Sequence, residues 1–200
     1  DYDDIPLNIK NAFLAAEDAN FFNHHGISYK GLIRSLVRCL SSKGCVGGGG
    51  TITMQVVRGY LLTRDQTLIR KIKEIYLALE LEGNLTKEEI FELYVNRIFL
   101  GNRSYGIEAA ANTYFDKKLE DLTLSESATI AALVQLPSRV NPVKDPRRTL
   151  QRRDWILSRM LILDFIDLGQ YEEAINQDLK LAKNINLYDI EADHIAEIAR

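Results

Sequence analysis

Apolar residues recur along most of this chain at spacings of three and four. That is the period of helices with one buried face, and no stretch alternates with the period of two that marks a half-buried strand. A first helix is predicted over Leu7–Asp18, with Ile9, Ala12, Phe13 and Ala16 on one face. A second is predicted over Ser28–Leu40, where Leu32, Ile33, Leu36, Val37 and Leu40 form a stripe and Arg34 and Arg38 lie on another face. The chain then breaks at residues 41–50, which end in four consecutive glycines. Glycine loses the most backbone freedom on ordering, so a mobile loop is expected there. A short helix is predicted from near Thr51, including Ile52, Gln55 and Val56. A long one follows over Thr67–Glu82, with Gly83 placed to end it beyond the last turn.

Thr86 and Glu89 have capping-box spacing and open a helix to about Leu100, before Gly101. Thr123 and Glu126 repeat that signature at the head of an alanine-rich helix that stops before Pro137. Asp145-Pro146 reads as an N-cap followed by proline at the first helical position. The helix it opens is predicted to run through Trp155, Met160 and Phe165 to Gly169. From Gln170 the chain is polar with helical patches, and a linker is expected after about Leu187. The fold class is therefore all-α or nearly so.

Two hundred residues suffice for one domain, or one domain with a small lobe. The formal net charge of −3 disfavours a strongly basic nucleic-acid binder, and no aromatic-basic platform is present. No run approaches the ~18 apolar residues of a membrane span. The chain opens at Asp1 without Met, which predicts a fragment lacking its targeting element. Cys39 and Cys45 could pair in an oxidising compartment or stay free. With three histidines in all, two of them adjacent at His24 and His25, a His/Cys zinc site is not expected.

Four segments could carry chemistry. Glu17 and Asp18 end an apolar helix, where the helix dipole and a like-charged neighbour both oppose ionisation; this suits a general base, but also describes a plain solvated acidic helix end. The glycines at 47–50 with Thr51-Ile52-Thr53-Met54-Gln55 and Arg58 lack the lysine of a nucleotide-binding P-loop. They could still offer an anion backbone N–H groups and a helix N-terminus, or form a simple linker. Arg70 and Glu74 stand four apart on one helix face, with Lys71 beside them. Such a set can hold a diphosphate, or be an ordinary surface ion pair. Arg139, Lys144, Arg147, Arg148, Arg152, Arg153 and Arg159 suit an anionic lipid surface or substrate phosphates, or a solvated helix face.

Taken in this order and spacing, the segments resemble the glycosyltransferase domain of family 51, the peptidoglycan polymerases of class A penicillin-binding proteins and monofunctional cell-wall transglycosylases. The first family motif is matched by Glu17-Asp18, Phe21, His24 and Gly26, and the second by Gly48-Gly49-Gly50-Thr51-Ile52-Thr53-Met54-Gln55. The third is matched by Arg70-Lys71-Ile72-Lys73-Glu74. The fourth is matched by Tyr94-Val95-Asn96 with Leu100-Gly101, Tyr105 to Glu108 and Tyr114-Phe115, and the tail by Asn141-Pro142, Arg153 and Met160. The resemblance covers about Pro6 to Tyr171. Two positions depart from the pattern: Gly50 replaces a serine, and Arg58-Gly59 replaces a Lys-Asn pair.

The resemblance implies a lysozyme-like helical fold with a small membrane-proximal jaw lobe at roughly residues 27–60. It implies a glycosyltransferase domain over 1–184 and a linker over 185–200 toward a transpeptidase domain. The implied activity is polymerisation of lipid II into β-1,4-linked glycan with inversion and release of undecaprenyl diphosphate. Glu17 would be the general base on the acceptor 4-hydroxyl. Glu74 would assist departure of the diphosphate, directly or through a divalent metal such as Mg or Mn. Asp18 would support Glu17 or the metal. Gly49, Thr51, Gln55, Arg58, Arg70 and Lys71 would complete the substrate-binding set. The implied partners are lipid II, the growing glycan strand, a membrane surface and other cell-wall synthesis proteins. The implied location is the outer face of the bacterial cytoplasmic membrane, with an anchoring helix before Asp1, and Gly31–Leu40 would lie at the interface. The competing readings are a lytic muramidase on the same fold and a non-catalytic lipid II binder.

Overall fold

The structure, a computed structural model, describes residues 1–28, 31, 50–60, 68–137 and 139–183. Among them the chain is helical, with a single isolated antiparallel bridge between Phe99 and Tyr105, so the all-α expectation holds. The helices are α1 (Leu7–Glu17), α2 (Ile52–Tyr60), α3 (Leu68–Asn84), α4 (Lys87–Arg97), α5 (Ile107–Phe115), α6 (Leu124–Leu133), α7 (Pro146–Ile162) and α8 (Leu168–Asn176). Most of the predicted Ser28–Leu40 helix, the glycine run up to Gly49, both cysteines and the linker after Leu187 lie outside the described residues.

Two compact units are present. One comprises Asp1–Tyr2 and Glu17–Arg97, the other Asp3–Ala16 and Ile98–Arg200. Of residues 27–60, the span expected for the jaw lobe, those described fall within the first.

In the first unit α2 packs on α3 and α4. Met54 and Val57 of α2 meet Ala78 of α3, flanked by Ile75, Leu77 and Leu81. Ile90, Phe91, Tyr94 and Val95 of α4 are buried, and Phe91 lies against the buried Phe21. α3 runs two residues past the expected end. Gly83 has open space around it and the Leu85 N–H still bonds the Leu81 carbonyl, so this glycine continues the helix and Asn84 ends it. α4 stops at Arg97, three residues short of Leu100, because the chain turns there through Gly101, Asn102 and Arg103, all with positive φ.

The second unit is built around α6, which is buried along its whole length. Its capping box is formed as the sequence predicts: Thr123 Oγ1 accepts from the Glu126 N–H, and the Glu126 carboxylate accepts from the Thr123 N–H. α7 packs against α6 and α8. The Asp145 cap and Pro146 are as expected, but α7 ends at Ile162 rather than Gly169. Asp164, at φ 56, breaks it, and Asp167 opens α8 with a second capping box closed by Gln170. α5 carries no strong sequence signal: it starts at a glycine and is rich in alanine.

The arginine cluster divides. Arg153 is buried and does not serve a surface or phosphates. It donates to Ser125 Oγ (3.1 Å) and to the Gln177 and Ile175 carbonyls (both 3.0 Å), tying α7 to α6 and to the end of α8. Arg152 lies 4.0 Å over the half-exposed ring of Trp155, with Arg159 at 5.9 Å. Arg153→Ala leaves buried acceptors without donors, each costing on the order of 1–3 kcal/mol. A net loss of about 2 kcal/mol is expected in chemical denaturation.

Candidate active site

The site residues in the first unit assemble around α2. This helix has only nine residues, too few to be stable alone, so its ends must be held by the rest of the fold. At the N-terminus, Asp18 Oδ2 accepts from the Ile52 N–H at 3.1 Å and from His24 Nε2 at 2.9 Å. Asp18 is thus 8% exposed and spent on the first turn of α2. Thr51 caps the same turn: its Oγ1 accepts from the Met54 N–H (3.2 Å) and donates to the Gly26 carbonyl (2.6 Å). At the other end, Tyr60 donates to the Leu93 carbonyl at 3.3 Å and lies under the Arg97 guanidinium at 4.0 Å.

Gly26 is required where it stands. Its φ is +71, and an added Cβ would lie 2.8 Å from the Ala78 carbonyl oxygen, a backbone atom that cannot step aside. Left-handed backbone costs an L-residue roughly 1–2 kcal/mol before any clash. Gly26→Ala is therefore expected to lower stability by at least ~2 kcal/mol, read as the denaturation midpoint.

Glu17 is the last residue of α1, the helix-terminal position the sequence predicts. Its Oε2 accepts from Gln55 Nε2 at 2.8 Å. Tyr94 of α4 points its hydroxyl at the other end of that amide, Gln55 Oε1, at 3.4 Å. Burial pushes the Tyr94 phenol well above its ordinary pKa. The negative charges of Glu17 and Asp18 act in the same direction, and Arg58 acts against them.

Glu74, in α3, is fully buried. Its Oε1 accepts from Arg58 of α2 at 2.8 Å and from Lys71 at 3.2 Å, both partly exposed. Its Oε2 is buried without a hydrogen-bond partner, an exception among buried polar atoms that leaves an acceptor open to a ligand. Arg70 stands one helical turn before Glu74 on α3.

Gln55 and Arg58 are three residues apart on α2, so they share one face with Cβ atoms about 5–6 Å apart. Through them Glu17 and Glu74, 57 positions apart in the chain (74 minus 17), are each bonded to a side chain of that face. Gly50 sits beside the second station. An added Cβ there would lie 2.9 Å from an Arg58 guanidinium nitrogen and 3.8 Å from Glu74 Oε1. Absence of the family serine therefore leaves room for the arginine. Gly49 lies outside the described residues.

The spacing in the sequence did not reveal three features. Tyr94 belongs to a recognised motif, yet nothing local ties it to Gln55. Lys71 was legible as a cation but not as the direct partner of Glu74. The network in which Thr53 donates to Glu82 Oε1 (2.5 Å), shared with Lys87 (2.7 Å), joins α2, α3 and α4 over separations that no periodicity reports.

Among the described residues, no three His, Cys, Asp or Glu side chains converge into a metal-binding group. The Glu74 carboxylate already holds two cations on its Oε1, and these repel another. A Mg or Mn ion held by the protein alone does not fit the described residues.

A model of the transglycosylase family matches residues 1–161. Penicillin-binding protein 1A of Pseudomonas aeruginosa is 49% identical over 98% of this chain and 24% of its own length. The same-named protein of Haemophilus influenzae is 44% identical over 98% of this chain and 23% of its own length. This chain therefore spans about a quarter of these relatives. A putative transglycosylase of Cupriavidus necator is 47% identical over 88% of this chain and 76% of its own length. With the family model matching four-fifths of its length and a relative of nearly the same extent at almost half identity, the chain belongs to the transglycosylase family.

Proposed function

We propose that this chain is a peptidoglycan glycosyltransferase that joins lipid II units into β-1,4-linked strands with inversion and releases undecaprenyl diphosphate. The observation that carries the reading is that one face of α2 holds two carboxylates in different company. Glu17 has a neutral amide beside it, and Glu74 lies between two cations. An inverting displacement needs this division: a base for the acceptor, and positive charge where the leaving group develops negative charge.

The acceptor 4-hydroxyl oxygen attacks the donor's anomeric carbon and forms the new C–O bond. The bond from that carbon to the diphosphate oxygen breaks, and its electron pair leaves with the diphosphate. The hydroxyl proton passes to Glu17. Arg58, Lys71 and Arg70 face the leaving group, and Glu74 holds the first two at that station and assists the departure.

Both substrates carry a lipid, so the enzyme works at a membrane surface, and we place it at the outer face of the cytoplasmic membrane. No helix among the described residues is long and apolar enough to cross a membrane. The Gly31–Leu40 helix, proposed to lie at the interface, falls almost wholly outside the described residues. Partners in cell-wall synthesis and a transpeptidase domain further along the natural chain belong to the same proposal.

The test is incubation with labelled lipid II and, separately, with intact peptidoglycan. Polymer from lipid II is the expected product. Glycan release from peptidoglycan without any polymerisation would establish the muramidase instead, and lipid II binding without turnover would establish the binder.

A further inference from the structure

We infer that Tyr94 is a positioning residue for the general base, acting through the side-chain amide of Gln55. The inference rests on the reading of Glu17 as the base. A glutamine amide has a donor end and an acceptor end, and rotation by half a turn exchanges them. Glu17 needs the donor end, and obtains it at 2.8 Å. The other end of the amide faces the Tyr94 hydroxyl at 3.4 Å, a long contact for an O–H donor. Such contacts commonly tighten when substrate enters.

The phenol is suited to a fixed donor role. It is almost entirely buried, and burial together with the nearby negative charges of Glu17 and Asp18 keeps it protonated across the working pH range. A neutral O–H then faces the amide oxygen and favours the orientation that keeps the N–H end on Glu17. Phenylalanine would fill the same volume and leave the amide free to rotate. Tyr94 comes from α4 and Gln55 from α2, so the relay also passes the placement of α4 to the base.

Two charged groups described near the base are Asp18 and Arg58. Asp18 follows it in the chain and is hydrogen-bonded to His24, and Arg58 lies one turn along α2 on Glu74. None of them is altered by removing the Tyr94 hydroxyl. An N–H donor favours the charged carboxylate. The base works ionised, so activity rises with pH through its titration. Loosening the donor shifts that rise to higher pH.

The experiment measures lipid II polymerisation against pH for wild type, Tyr94→Phe, Gln55→Leu and the double variant, with thermal melts of each. Tyr94→Phe is expected to lower kcat about three- to tenfold with KM little changed, and to move the acid limb of the pH profile up by about half a unit. Gln55→Leu should move it the same way by at least as much. In the Gln55→Leu background, Tyr94→Phe should add little. A Tyr94→Phe enzyme with the wild-type acid limb, or penalties that multiply in the double variant, would overturn the relay. Should Tyr94→Phe fail to fold, Gln55→Leu alone decides, since an unmoved acid limb there removes the amide's role. An inactive wild type, or a Glu17→Gln enzyme at the normal rate, would instead defeat the assignment of the base itself.

Discussion

Glu17→Gln is expected to reduce lipid II polymerisation at least ~100-fold, the ordinary scale of general-base catalysis. The substitution keeps the shape of the side chain and removes only its ability to take a proton. The new amide can present its own oxygen to the Gln55 Nε2 donor, so the neighbourhood should stay folded and the melting temperature near that of wild type. Substrate binding should also survive, because the groups proposed to grip the diphosphate are around Glu74. Turnover by single-product gel analysis and lipid II binding by fluorescence anisotropy read these two separately. A variant that binds normally and polymerises at the wild-type rate would remove Glu17 from the reaction.

Glu74→Gln should be as damaging to turnover, on the order of 10²-fold or more, and should differ in kind. The buried carboxylate holds Arg58 at 2.8 Å and Lys71 at 3.2 Å through the same oxygen. An amide offers at most one acceptor oxygen without charge, and its NH2 group opposes whichever cation it faces. The two cations then lose the group that keeps them together, and the transition state loses an aligned positive station. Both kcat and the affinity for lipid II should fall, in contrast to the Glu17 variant. Polymerisation over a substrate series checks this. An unchanged KM with an unchanged kcat would mean that Glu74 is merely an internal counter-ion.

Much of this arrangement was legible before any coordinates. Capping boxes and the Asp-Pro start fixed the beginnings of α4, α6 and α7, because those signals act within one turn of chain. Helix ends were less readable. Gly83 carries the usual stop signal but sits in open space where the helix can simply continue, and the break after α7 comes from Asp164 in a left-handed conformation that many residue types could adopt. The candidate site follows the same division. Its members were named from local spacing and family resemblance. What each one touches depends on pairings between α2, α3 and α4 that no local period encodes, as with Asp18. Its place beside Glu17 suggests a second carboxylate for chemistry or metal binding, yet its oxygen is committed to the Ile52 N–H.

One short element, α2, is clamped at both ends and reaches both acids from its middle. In the proposed displacement, attack and departure are therefore geared together: the stations for the acceptor and for the leaving group cannot drift independently. Loss of the Asp18–Ile52 clasp alone would misalign both at a stroke.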